Sequence, residues 1–381
     1  MSPAKEGNAR EVAVERVAAG ESVEEVALRF NIAPDKLRRW SGLAPVTPDT
    51  STVDKPRPRS GQATILDLAE RTGLSKSVVS RALRGQYGVS ADAQDRVARA
   101  VDELGYVSNA AAQNLSAYRT NTIGVLVRDA SAAFYGEMQS ALQKRGTALN
   151  QRVFITSGAL DNHDERRALE DLIALRVDGL IVCSGRLPLR EVERFSDRFP
   201  VVVAGRPDVN GNVSSVFGDE DEGARLLARH VVERGHRHVA VTRPPAGVAP
   251  LLRRRTQIMA EELQRLGAQS AFHDVASAKD IAETLAQIPP AVTAVMCPND
   301  RYAAELLLAL RGADRSLAIT GFDGIGGLSS ELIGLTTWQQ PIEEIGVRAV
   351  DVLMQRISDS QAGVRHVKIP GTLRISRSTA I

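Results

Sequence analysis

The segment KSVVSRALR, residues 76–84, sets short hydroxyls and long cations at a spacing that could read DNA base edges. Lys76 and Ser77 open it, and Ser80, Arg81 and Arg84 follow on faces reachable from the same groove. A helix lying in the major groove offers such groups from its first turns, cations above all to guanine. Thr64 and Ser75 each stand just ahead of a helical run, where they would hold phosphates at helix N-termini. The bland alternative is a set of ordinary exposed residues on a small helical bundle. Other chemistry is thinly represented. His230, His236 and His238 suggest a metal, yet no Cys or carboxylate completes a ligand spacing, so they read as part of a helix end and turn. The run GFDGIGG at 321–327 loosely resembles a phosphate-cradling loop, but Asp323 at its centre would repel phosphate and no Gly-Lys-Ser/Thr follows. No nucleophile elbow, zinc motif or acid pair sits on a catalytic frame. The expectation is no catalytic residue, no metal and no cofactor.

Three helices must position the reading segment: 65–72, 76–84 and 91–104. Gly73-Leu74-Ser75 forms the turn between the first two, with Ser75 as N-cap. Leu66, Ala69, Val78, Val79, Ala82, Leu83, Val97, Val101 and Leu104 supply the expected small core. An Ala-rich stretch, 109–118, reads as one more short helix. Upstream, helices are expected at 9–18, 23–30 and 34–40, broken at Gly20, with Ser22 and Glu25 forming a capping box. A linker with Pro45, Pro48, Pro56 and Pro58 follows, too poor in apolar residues to bury a core. From Thr122 the pattern alternates. Strands are expected at 123–127, 153–157, 180–184, 200–204, 239–242, 294–298 and 317–321, and helices at 135–149, 165–175, 222–234, 255–266 and 302–310. That order implies parallel sheets covered by helices on both faces, long enough for two lobes.

The run TILDLAERTGLSKSVVSRALRGQYGVSADAQDRVARAVDELGYVSNAAAQNLSAYRTNTIGVLV, residues 64–127, resembles the lactose/galactose repressor family, and the likeness continues to the C-terminus. The resemblance implies an all-α helix-turn-helix head followed by an α/β two-lobed, periplasmic-binding-protein-like effector domain. It divides the chain into 62–108 (head), 109–120 (hinge helix) and 121–381 (effector binding and dimerisation), after a segment 1–42 and a linker 43–61. It also implies a homodimer, with a tetramer left open, that binds a palindromic double-stranded operator. Lys76, Ser77 and Arg81 fall at the family's base-reading positions. Asn109, Ala112, Gln113 and Leu115 match its hinge, where a paired leucine wedges into the minor groove and kinks the duplex.

Between the lobes, the resemblance places Asp323 and Arg255 on the effector, with Asn299 and Gln340 at other cleft positions and Phe134 and Ser184 as walls. A carboxylate and a guanidinium facing one cleft suit a polyol, because each can bond vicinal hydroxyls. The implied effector is a sugar or sugar derivative, and the implied role is ligand-controlled regulation, as a repressor. Departures surround the cleft: Ile258 and Met259 replace a glycine and an aromatic, Gly205-Arg206 replaces an aspartate, and Ile333-Gly334 replaces a proline pair. Arg206 leaves an acidic or phosphorylated ligand open. Val107-Ser108 departs from a proline near the hinge. Residues 1–42 resemble the helix-turn-helix of transposase-like proteins, with Lys36, Arg38 and Arg39 as a basic face. A dimerising or partner-binding appendage is the other reading. The second function class is a solute-binding protein of the same fold, which would need a signal peptide and no residues 64–115.

Composition agrees with this reading. Over 381 residues the net charge is only +2, but residues 56–100 hold 8 Lys/Arg against 4 Asp/Glu. Aromatics make up 4%, too few for a surface of stacked bases. No run approaches the length of a membrane span, and residues 1–15 lack the apolar core of a signal peptide. The two cysteines, Cys183 and Cys297, lie in apolar strand-like runs and read as buried thiols of a cytoplasmic protein.

Overall fold

The structure, a computed structural model, describes residues 3–30, 32, 34–43, 63–107, 119–158, 162–207, 211–247, 249–311, 313–328, 330, 332–359 and 361–380. The hinge positions Asn109, Ala112, Gln113 and Leu115, and nearly all of the linker, lie outside them. The chain divides into two compact units, 1–108 and 109–381.

The first unit is all-α. Helices α1 (Pro3–Ala18), α2 (Val23–Phe30) and α3 (Pro34–Trp40) close on Ala13, Val23, Val26, Ala27 and Leu37. Gly20, at φ +96°, makes the break after α1 that a side chain would resist. Helices α4 (Ile65–Thr72), α5 (Lys76–Leu83) and α6 (Ala91–Leu104) bury Leu68, Val79, Val97 and Ala100. One expectation fails here: Leu66 is 58% exposed and Leu104 is 36% exposed. On α4 the inward stripe is Ile65, Leu68, Ala69 and Thr72, a helical i, i+3, i+4, i+7 set that turns Leu66 to solvent.

The second unit holds two six-stranded sheets. One has the order β11-β5-β4-β3-β1-β2 and is parallel throughout. Its strands are β1 (Thr122–Val127), β2 (Arg152–Ser157), β3 (Gly179–Cys183), β4 (Val201–Ala204), β5 (Ser214–Gly218) and β11 (His366–Ile369). The other has the order β12-β10-β9-β8-β6-β7, built from β6 (His238–Arg243), β7 (Gln269–Asp274), β8 (Ala294–Met296), β9 (Ala318–Asp323), β10 (Thr336–Gln339) and β12 (Thr372–Arg374). It is parallel except for the β10–β12 pair. Every residue of β1, β3, β4 and β5 is buried, as strands covered on both faces must be.

The covering helices are α7 (Ala133–Ala148), α8 (Asn162–Ala174), α9 (Leu189–Ser196), α10 (Glu220–Glu233), α11 (Pro250–Arg265), α12 (Ile281–Gln287), α13 (Asp300–Leu310) and α14 (Ile342–Ser358). The chain passes between the sheets three times: from β5 into α10, from β10 into α14, and from β11 into β12. Three crossings tie the lobes together. Cys183 and Cys297 are buried in separate sheets' cores, where desolvation pushes both thiols up to about 12. His230 pairs with Thr379 at 2.8 Å and His236 with Thr293 at 2.9 Å, so both serve packing.

Helix α14 reaches α7 through a glycine. A Cβ at Gly346 would lie 2.7 Å from the Ala141 Cβ, with the Leu142 nitrogen and Met138 oxygen of the backbone at 3.4 and 3.5 Å. Backbone cannot rotate away, so Gly346→Leu should cost about 3 kcal/mol by overpacking. In a unit of this size that lowers Tm by roughly 6 °C or more. Calorimetry checks it, with Leu308→Lys at a 56% exposed site as a neutral control.

Candidate functional site

Two groups of side chains stand out, one in each unit. In the first, the sequence writes its own helix ends. Thr64 caps α4 in a reciprocal box: its hydroxyl accepts from the Asp67 N–H, and the Asp67 carboxylate accepts the Thr64 N–H at 2.6 Å. The Thr64 N–H and hydroxyl both donate to the Asp67 carboxylate and hold it below its ordinary range. Gly73, at φ +66°, ends α4, and Ser75 caps α5 by accepting from the Val78 N–H. The turn therefore sets α5 against α4 and α6 through Val79, with Lys76 and Ser77 on its exposed first turn.

The side chains of α5 differ in how far they are committed. Arg81 reaches back weakly, its Nε 3.4 Å from the Ser77 carbonyl. Arg84 is folded onto Ser80, with Nη2 at 2.6 Å from the hydroxyl and Nε at 3.1 Å from the carbonyl. The structure thus brings Lys76, Ser77, Ser80 and Arg81 to one helix, with Arg84 as its C-cap one residue past the helix end and Thr64 and Ser75 as the N-caps of α4 and α5.

In the second unit, β9 ends on Asp323, whose φ of +116° is rare for a residue with a side chain. Such strain persists where surroundings over-determine it, and it is a feature of functional sites. Asp323 Oδ1 accepts from Gln340 Nε2 at 2.8 Å and lies 3.5 Å from Arg255 Nη1. Arg255 also donates to the Pro298 carbonyl at 2.6 Å, and its guanidinium sits 3.6 Å above the Phe322 ring. Burial pushes the Asp323 carboxyl up to about 7 against the pull of Arg255.

Asn299 caps α13, its Oδ1 accepting from the Tyr302 N–H at 3.1 Å, which fixes the side chain and leaves its amide nitrogen uncommitted by that bond. Across the cleft, Ser184 follows β3 and donates to Glu165 at 2.7 Å, and Phe134 packs edge-on against Tyr135 near Gly205. Arg255, Asp323 and Gln340 thus form one bonded cluster at the strand ends of the second sheet. Phe134 and Ser184 belong to the first.

Three carboxylates here escaped sequence reasoning. Asp300 is fully buried, accepting from Thr337 at 2.5 Å and from the Ile325 N–H at 2.8 Å. Desolvation raises it to about 6. Glu220 Oε2 lies 3.0 Å from Arg255 Nη2, and Glu165 is fully buried behind Ser184. Asp300 and Glu220 each occupy the first residue of a helix, where an acid reads as an ordinary complement to the helix dipole. Among the described residues, no group of three or more His, Cys, Asp and Glu could hold a metal ion, and no helix is long and apolar enough to cross a membrane.

Residues 64–109 match the family described as bacterial regulatory proteins, lacI family. Residues 120–377 match the periplasmic binding proteins and sugar binding domain of the LacI family. Neither match reaches residues 1–63. The transcriptional regulator GalS of Salmonella typhimurium is 31% identical over 303 residues, covering 77% of this chain and 89% of its own. The ribose operon repressor of Halalkalibacterium halodurans is 28% identical over 324 residues, covering 83% and 97%. A crystal structure of the lac repressor dimer, bound to operator and an anti-inducer, superposes with a TM-score of 0.72 at 25% identity, covering 84% of this chain and 99% of that one.

Proposed function

The chain belongs to the LacI family of bacterial regulatory proteins, and on that footing we propose that it represses transcription from a palindromic operator under the control of a small hydroxyl-rich effector. The observation that carries this reading is the union, in one chain, of a capped helix-turn-helix with a two-sheet domain whose strands end on the Arg255–Asp323–Gln340 cluster. A solute-binding protein of the same fold has no use for residues 64–107. The relatives are regulators rather than enzymes, and the reading assigns no reaction, no cofactor and a cytoplasmic site of action.

On this reading a homodimer presents two copies of α5 to adjacent major grooves. Lys76, Ser77 and Arg81 read bases, Ser80 and Arg84 support them, and Thr64 and Ser75 hold phosphates. Asn109, Ala112, Gln113 and Leu115 take the minor-groove contacts that the family resemblance gives the hinge. In the cleft, Asp323 and Arg255 bond effector hydroxyls, with Gln340 and Asn299 beside them and Phe134 and Ser184 as the facing wall. An effector that binds one lobe arrangement better than another shifts the hinge equilibrium by that difference and no more. Residues 1–42 read as a second helix-turn-helix with Lys36 and Arg39 exposed on α3.

Thermal-shift screening of neutral sugars, followed by operator titration with each stabilising compound, tests ligand control. At least one stabilising sugar should change operator affinity by about tenfold, a typical coupling. Operator binding that ignores every stabilising sugar contradicts it.

A further inference from the structure

We infer that Glu220 is a specificity-determining residue of the cleft, cancelling Arg255 as an anion receptor and restricting the effector to uncharged, hydroxyl-bearing molecules. The inference rests on the proposed reading of the cleft as the effector site.

An arginine grips a phosphate or carboxylate by offering two parallel N–H groups from one edge of its fork. At Arg255 the terminal Nη1/Nη2 edge is already taken. Nη1 donates to the Pro298 carbonyl at 2.6 Å and faces Asp323 at 3.5 Å, while Nη2 pairs with Glu220 at 3.0 Å. One face of the guanidinium is closed by Phe322. The Arg255 side chain is 3% exposed and that of Glu220 only 16%, so water screens the pair weakly. What Arg255 retains is its buried Nε–H, which has no partner among the described residues, and one N–H of Nη2, the nitrogen that Glu220 neutralises.

The charge around it points the same way. One guanidinium faces three carboxylates, Glu220, Asp323 and the fully buried Asp300. Asp300 and Arg255 both act on Asp323 electrostatically, which places these groups in one field. An incoming phosphate would meet net negative charge at short range, whereas hydroxyls would meet acceptors on Asp323 and donors on Gln340. Arg128 shares Asp129 with Arg301 and Glu165 with Arg186, so the loss of any gain in phosphate binding on removing Arg255 is what separates Arg255 from those cations. Arg206, buried after β4, is the rival anion site and belongs in the test.

Glu220 differs from its neighbour on the same turn. Asp221 pairs with Arg254, an arginine 61% exposed on the outer surface. That makes Asp221→Asn a control of equal charge.

The probe is inorganic phosphate, titrated into the full-length protein and followed by calorimetry and phosphorus NMR line width. Wild type should show no saturable binding. Glu220→Gln should gain it, tightening phosphate by about tenfold or more as one nearby negative charge is removed. The gain should vanish in the Glu220→Gln, Arg255→Ala double variant. Asp221→Asn should gain nothing.

Three results overturn the inference. The first is saturable phosphate binding by wild type that is lost in Arg255→Ala or Arg206→Ala. The second is no gain in Glu220→Gln, provided its melting curve matches wild type. If that variant melts early, Glu220→Ala and Glu220→Asp replace it, with a gain expected only in the alanine form. The third is an equal gain in Asp221→Asn, which would reduce the effect to overall charge. Operator selection on the same preparations reports separately on the regulator reading. A chain with no operator preference and the expected phosphate pattern would remove that reading and leave the charge assignment standing.

Discussion

Arg81→Ala weakens operator binding by about 10- to 100-fold per half-site, the value of one good bidentate contact to a base pair. A dimer carries the change twice, so the loss across a palindrome is about 100-fold or more. The fold should survive, because Arg81 contributes only a weak bond to the Ser77 carbonyl and none of the α4–α6 core. Its stability should stay within the range of a surface substitution, about 0.5 kcal/mol. Arg84→Ala should do much less to DNA binding, since its guanidinium is already spent on Ser80. Fluorescence anisotropy on one operator, with both variants at matched salt, measures the contrast. Equal losses for the two would show that α5 binds phosphates without reading bases.

Asp323→Asn has two separable consequences. A hydrogen bond from a hydroxyl to a carboxylate is worth about 1.5–3 kcal/mol, so effector affinity should fall about 10- to 100-fold while operator affinity in its absence is unchanged. The second consequence is a change in pH dependence. Burial raises this carboxyl to about 7, so across the acidic range the folded state holds a proton that the unfolded chain, titrating at its ordinary value of 3.8, has released. The group's contribution to stability is complete below about pH 4 and is lost as pH rises through 7. With an amide at this position nothing titrates there, so wild type should lose stability relative to the variant between pH 4 and 7, by at most about 4 kcal/mol, and the gap should level off above 7. Glu262 works in the opposite sense: Arg265 and Arg229 hold it at about 2, but it is present in both proteins and cancels in the difference. Denaturant melts of the two proteins across that range decide it. A gap that does not move with pH would mean Asp323 is ionised throughout.

Local signals made much of this molecule readable. Thr64, Ser75 and Ser90 each cap a helix, and Gly73 and Gly105 end one, so the head is spelled out by residues whose bonding is local. The buried runs TIGVLV and GLIVC announce parallel strands. Less was legible where neighbours decide. Strand β7 (QSAFHD) sits at a sheet edge with most of its residues exposed, and β12 has three residues paired antiparallel against the run of the sheet. Neither carries a period of its own. Helix α14, 17 residues long, lies astride α7 and three strands of the first sheet, a placement its own residues do not announce. In the cleft, Asp323 and Arg255 were legible only through the family resemblance. The left-handed backbone of Asp323 and the pairing of Arg255 with Glu220 depend on residues far away in sequence.

On the proposed reading, α5 reads a defined operator. Selection from a random duplex library, with the wild-type chain beside an Arg81→Ala, Leu115→Ala double variant, tests it most directly. Wild type should enrich one short palindrome, and the double variant should not. Enrichment of the same palindrome by both proteins, or salt-sensitive binding without sequence preference in wild type, would contradict it.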